Sequence, residues 1–194
     1  MHSVSSRLLA LTFALLGVAC SDRPGNSGVA EATDVKSALK RQLGDEPLER
    51  GQPSLEALAT RVVEGLNARD EQALSRLVIT EAEYKTRLFG VLARHKTAHQ
   101  MGADLLWSMQ HRESADDLGH ILDLHGGRGY ELVAVEPERV DARDGVTLHR
   151  KPVLVVREAG DAEPRRLRLL ATVVEHDKTH TFKLIAYRLR GDDS

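Results

Sequence analysis

Beyond ordinary surface acids and bases, the chain offers few groups that do chemistry: one thiol, a set of histidines, and a few aromatics within reach of a carboxylate. The thiol is Cys20, the only cysteine in 194 residues. A chain in an oxidising compartment pairs its cysteines or dispenses with them, because a free thiol invites oxidation and crosslinking. Here the single one stands directly behind the apolar stretch Leu8–Ala19, which makes it a candidate for covalent modification. His95 and His99 lie one helical turn apart in His95-Lys-Thr-Ala-His99, a spacing at which two imidazoles can meet one divalent metal. A metalloprotease needs Glu directly after the first His to supply the general base, and Lys96 occupies that place. A third ligand would have to come from His111, His120 or His125, none at a diagnostic spacing. Solvated helix-surface histidines are the plainer reading, and no metal or other cofactor is expected.

Tyr84, Trp107, His149 and Tyr187, with Asp104 as a carboxylate, are the candidates to line a pocket between helices and sheet. Proton abstraction there needs a carboxylate base between apolar walls and a Tyr or protonated Asp to hold the developing oxyanion. These five residues complete no such constellation, so no catalytic residue is assigned. There is no Gly-x-Ser-x-Gly elbow. Gly126-Gly-Arg-Gly129 lacks the Gly-Lys-Ser/Thr ending of a phosphate loop and precedes a predicted strand, so it reads as a helix stop and turn.

Arg7 gives the N-terminus its positive charge, Leu8–Ala19 is apolar, and the small residues Gly17 and Ala19 precede a candidate cut. These are the three parts of a signal peptide over residues 1–19. The apolar run is shorter than the roughly 20 residues that span a bilayer, so it is expected to be removed. Leu16-Gly-Val-Ala-Cys20 resembles a bacterial lipobox. That resemblance implies a lipoprotein with a diacylglyceryl thioether on Cys20 and an acyl chain, of the palmitate kind, on its amine. Two or more chains give stable anchoring where one does not. The expected location is the cell envelope, with the outer membrane facing the periplasm favoured, because Asp22 stands one place beyond the inner-membrane retention position. Gly17 sits where the lipobox favours Leu, and an ordinary secretion signal cut near Ala19 is the alternative.

With 27 Lys and Arg against 29 Asp and Glu, the formal charge is −2. No global basic field exists to hold nucleic acid, and aromatics at 4% leave few stacking platforms for bases or sugars. Residues 20–53 begin with Ser21-Asp-Arg-Pro-Gly-Asn-Ser-Gly28, a coil-favouring composition expected to form a tether. Val35, Ala38, Leu39 and Leu43 allow one short helix within it.

Residues 54–190 are expected to form a single α+β domain, with N-terminal helices packed on a curved antiparallel sheet of about four strands. Leu55, Leu58, Ala59, Val62, Val63 and Leu66 follow a helical period behind Ser54 as N-cap. Asp70 caps a second helix, and Thr80-Glu-Ala-Glu83 is a capping-box spacing that launches a third. A fourth carries Ala98, Met101, Leu105, Leu106 and Met109, and Ser114 is expected to cap a fifth with Leu118, Ile121 and Leu122 inward. After Gly129 the period falls to two. Tyr130–Val135, Val146–Val156, Leu167–Val174 and Phe182–Leu189 read as strands, with turns at Asp144-Gly145, Gly160-Asp161 and His176–Thr179. Pro152 cannot donate to a ladder, so its strand is expected at an edge or with a bulge.

Leu58–Asp70, the short helix after it and Phe182–Arg188 resemble the nuclear-transport-factor-two-like superfamily of cone-shaped α+β barrels, which includes ketosteroid isomerase and polyketide cyclases. The segment Leu92–His125 is longer and more helical than that pattern. The resemblance implies a cone that hosts enzymes and non-enzymes alike. The expected function is a non-catalytic envelope module that binds a small apolar ligand or an envelope protein, held to the membrane through Cys20. The alternative is a small isomerase, cyclase or hydrolase using the cone as its active site. A homodimer through the outer sheet face is left open.

Overall fold

The computed structural model of the protein describes residues 44–93 and 96–189. The signal segment, Cys20, the tether up to residue 43 with its expected helix, and His95 lie outside the described residues. Among the described residues no helix is long and apolar enough to cross a membrane.

Local chemistry starts each early helix where the sequence places it. α1 (Leu55–Ala68) begins at an extended Ser54 whose hydroxyl accepts the Ala57 N–H at 3.0 Å. α2 (Glu71–Ser75) begins at Asp70, whose carboxylate accepts the Ala73 N–H at 2.9 Å. Thr80 and Glu83 form the reciprocal capping box at the start of α3 (Glu81–Glu83). The chain then widens into a π-helical turn, Tyr84–Leu88, before α4 (Phe89–Leu92). The two helices expected next are one element, α5 (Lys96–His125), broken at Gly102 with φ 78° and ψ 162°, a backbone conformation that needs glycine. Ser114 is therefore not a cap. It lies mid-helix, 5% exposed, and its hydroxyl accepts the Tyr187 N–H at 2.9 Å. Leu105 and Met109, carried by the expected fourth helix, are 50% and 47% exposed.

Seven strands follow: β1 (Glu131–Glu136), β2 (Arg139–Arg143), β3 (Val146–Arg150), β4 (Val153–Arg157), β5 (Arg165–Leu167), β6 (Leu170–His176) and β7 (Thr181–Tyr187). They form a three-stranded sheet, β1-β4-β5, and a four-stranded sheet, β2-β3-β6-β7, all antiparallel. The expected count of about four describes the chain's four passes, of which the first three are each broken in the middle. On the first two passes the register runs through the break without a slip, from Arg139↔Arg150 in one sheet to Glu136↔Val153 in the other. That register sets Pro137 opposite Pro152. Neither proline has an N–H, so the ladder is cut on both strands at one place and the hairpin bends there. The strand containing Pro152 is central in both sheets, so the break, not an edge position, is what accommodates the proline. On the third pass the register slips by one residue between Leu154↔Leu167 and Arg150↔Thr172. The slip turns Thr172 inward, to 7% exposed, and leaves its neighbour Ala171 half-buried.

The result is an α+β fold with helices against curved antiparallel sheets, not closed into a barrel. Consecutive residues of β6 and β7 point to opposite faces, which separates two cores. Val173 and Leu184 join the larger core with α1, α2 and the C-terminal half of α5, including Leu58, Leu66 and Ile121. Val174 and Ile185 join the smaller one with Tyr84, Leu88 and Trp107. Packing begins upstream of Ser54, within the residues expected to be tether. Leu48 is 2% exposed in the smaller core, and Gln52 exchanges backbone hydrogen bonds with Phe182 at 2.8 and 2.9 Å.

Candidate functional site

Beside the smaller core, an open cleft of about 400 Å³ lies between α5 and the β6–β7 ladder. The helix wall presents Leu106, Met109, Gln110 and Glu113, with Asp117 one turn further; the sheet wall presents Ala171, Thr172, Ile185 and Ala186. Gln110 donates to the Ile185 carbonyl at 3.3 Å and Ser114 accepts from Tyr187, so the helix is stitched to the edge strand along the cleft. A second recess of about 450 Å³ adjoins it at the bend of the sheet, and Arg150, Ala171, Thr172 and Arg188 line both.

The five sequence candidates do not converge on this cleft. Tyr84 lines it, 4% exposed, with its ring 5.3 Å from that of Trp107. Burial pushes the Tyr84 hydroxyl above its usual range. Trp107 backs Tyr84 and stacks on His111 at 5.1 Å. Tyr187 also lines the cleft, but its hydroxyl is buried and donates to the Leu74 carbonyl at 3.0 Å. Deep burial drives its pKa far upward, so it stays a neutral structural donor. Asp104 is no pocket acid: its side chain is 88% exposed and pairs with Lys85 on the surface.

His149 lies on the other face of the four-stranded sheet, because its neighbour Leu148 belongs to the smaller core with Tyr84 and Trp107. Its Nε2 donates to Glu175 at 3.0 Å, and Nδ1 of His180 donates to the other oxygen of the same carboxylate at 3.0 Å. Burial pushes the Glu175 carboxyl upward, but the two imidazole donors outweigh it and hold it below the usual range. The His149 ring packs 5.7 Å from Phe182. Of the metal candidates, His99 is exposed, edge-on to Phe89 at 5.7 Å. Among the described residues no three His, Cys, Asp or Glu side chains are grouped to hold a metal.

The polar pair that sequence reasoning missed is Glu83–Lys183. Lys183 Nζ sits 2.7 Å from Glu83 Oε2, with the side chains 2% and 6% exposed. Glu83 also accepts the N–H groups of Thr80 at 2.8 Å and Glu49 at 2.6 Å. Burial opposes its charge, yet Lys183 and these backbone donors together hold the carboxyl below its ordinary range. The same Glu83 thus caps α3, anchors the entering chain and neutralises a buried lysine on β7. Only its capping role had a local signal; the alternation of Phe182-Lys-Leu-Ile marks Lys183 as facing one side but not what waits there.

No protein-family model, curated protein or solved structure matches this chain.

Proposed function

We propose that the chain is a cell-envelope lipoprotein, held to the outer membrane by lipid on Cys20, whose folded part binds a small molecule with an apolar body. The observation that carries the binding reading is the open cleft along α5, with Leu106, Met109, Ile185 and Ala186 offering apolar surface. Three of its polar wall groups are already engaged: Tyr187 with Leu74, Ser114 with Tyr187, Gln110 with Ile185. Such a wall is pre-organised, which lowers the ordering cost of binding. An isomerase or cyclase reading calls instead for a carboxylate and a Tyr or His aimed together into the cleft. Asp104 points to solvent and His149 lies across the sheet; the carboxylates that do line the cleft, Glu113 and Asp117, stand on the helix wall, and the Tyr187 hydroxyl is turned away from them to the Leu74 carbonyl, which favours binding over catalysis. The likeness of residues 54–190 to the nuclear-transport-factor-two-like cone supports the same place for a ligand, between helix and sheet.

Two measurements test the two halves of this reading. Cys20→Ser is expected to abolish acyl labelling and release the protein from membranes; continued labelling overturns the anchor. The uncharged dye N-phenyl-1-naphthylamine is expected to bind saturably at about one per chain, the stoichiometry of a single pre-formed cleft. Ala171→Trp, which fills the space between the two recesses, is expected to remove that binding while the fold, read by circular dichroism, is retained. Unsaturable binding, or binding unchanged in a folded Ala171→Trp variant, overturns the cleft.

A further inference from the structure

Among the described residues, the bend of the sheet gathers positive charge that its own carboxylates do not balance. Arg139, Arg150, Lys151 and Arg188 line the recess there, with Glu138 as its one acidic residue. Two nearby carboxylates are each shared between two cations. Asp141 accepts from Arg139 at 2.6 Å and Arg150 at 3.3 Å, while Glu138 lies 3.5 Å from Lys151 and 3.7 Å from Arg168. Among the described residues, the four cations that line the recess thus meet two carboxylates, Glu138 and Asp141, in a chain whose overall formal charge is −2. Among the described residues no carboxylate lies within ion-pair distance of Arg188, which is exposed at the end of β7.

The position of this excess matters more than its size. Arg150 and Arg188 line both the basic recess and the apolar-walled cleft, so a molecule lying in the cleft meets two guanidiniums at that end. The carboxylates of the cleft, Glu113 and Asp117, stand on the opposite, helix wall. They disfavour negative charge along α5 and leave the sheet bend as the place for it. Guanidinium groups present paired donors matched to planar or tetrahedral oxyanions.

We infer that the bend of the sheet is an anion-recognition site, and that the ligand is an amphiphile whose carboxylate, sulfonate or phosphate head meets Arg188 and Arg150 while its apolar body lies along Met109, Leu106 and Ile185. The inference rests on the cleft reading above and adds the head group to it. The arrangement fits a head-first orientation toward the sheet, with the tail leaving past Met109, itself 47% exposed at the rim.

Two dyes of the same scaffold isolate the charge: uncharged N-phenyl-1-naphthylamine and anionic 1-anilinonaphthalene-8-sulfonate, titrated into the purified protein at low and high salt. The sulfonate is expected to bind roughly tenfold tighter or more, the scale of one charge-assisted hydrogen-bonded contact, and to lose that margin at high salt. Arg188→Gln is expected to bring the two dyes to equal affinity, the sulfonate's falling to that of the neutral dye. Because Arg188 is exposed and its backbone N–H still reaches the Leu169 carbonyl, this variant keeps its fold. Equal affinities in the wild-type protein, or an Arg188→Gln variant that keeps the sulfonate preference, overturn the anion site while leaving the cleft reading intact. Failure of both dyes to bind overturns both. Competition by dodecyl phosphate alone assigns the site to lipid-like amphiphiles. Competition by inorganic phosphate as well keeps the anion site but overturns the requirement for an apolar body.

Discussion

The two faces of the four-stranded sheet are built on different principles. On one, α1, α2 and the end of α5 bury leucines, valines and isoleucine against β6 and β7, and against β4 and β5 of the other sheet, with Leu58, Val62, Leu66 and Ile121 all at 0 or 1% exposed. The other face is smaller and mixed: Tyr84 and Trp107 pack on Val146, Leu148 and Ile185, a π-helical turn interrupts the regular helix, and a lysine–glutamate pair is buried beside them. The first face is a core whose parts are interchangeable in kind, so its stability comes from area and fit. The second depends on particular partners, and the cleft opens beside it. A π-helical turn widens the backbone and re-aims Tyr84 and Leu88, a departure from regularity often found next to functional sites.

That contrast is broken or sharpened most strongly at Lys183. Lys183→Met leaves Glu83 buried with backbone donors but no cation, an uncompensated charge expected to cost about 3–5 kcal/mol in urea unfolding. Combining it with Glu83→Gln is expected to restore most of the loss. If the double variant is no more stable than Lys183→Met, the pair is not the organising contact of the second face. On the first face, Leu58→Ala is expected to cost about 3 kcal/mol, within the range for a fully buried leucine. No second-site change at one residue should rescue it, because many neighbours share the cavity.

Acid separates the polar contacts next. Burial holds the His176 imidazole below its ordinary 6.5, with Arg87 acting in the same direction, so the neutral ring belongs to the fold. Its contribution is complete above pH 6.5 and is lost as pH falls below that value. Glu83 and Glu175 are held below their ordinary 4.5, so their contribution is complete above pH 4.5 and is lost as pH falls further. Tm against pH is expected to decline in two stages, and His176→Gln to remove the first; a single decline below pH 4.5 in the wild type would contradict the His176 assignment. The smallest effect is at Asp104. Asp104→Asn breaks only an exposed pair with Lys85 and is expected to leave Tm and dye affinity where they are. A large loss of binding would place this carboxylate in the site after all.

How much of this was legible in the sequence follows the range of the interactions involved. The starts of α1, α2 and α3 were readable because a cap is a contact over three residues: Ser54 to Ala57, Asp70 to Ala73, Thr80 to Glu83. The Asp144-Gly145 turn was readable for the same reason, with Gly145 at φ 80° between β2 and β3. Ser114 carried the same local signal and was misread, because Tyr187, 73 residues away, takes its hydroxyl. The five pocket candidates were chosen by residue type. Which face of the sheet each one occupies depends on register and bend, and no side-chain type announces either.

The amino-acid sequence by itself determined the α+β order of elements and the starts of the first three helices and the Asp144-Gly145 hairpin, since those rest on hydrogen bonds and periodicities spanning a few residues. Tertiary structure alone decided that Pro137 and Pro152 coincide and fold the hairpin into two sheets, that Lys183 finds Glu83, and that Arg188 and Arg150 line the same recess, with no carboxylate within ion-pair distance of Arg188 among the described residues. Each of these joins residues far apart in the chain. Their energies exist only once the whole chain has brought them together and water has been removed from between them.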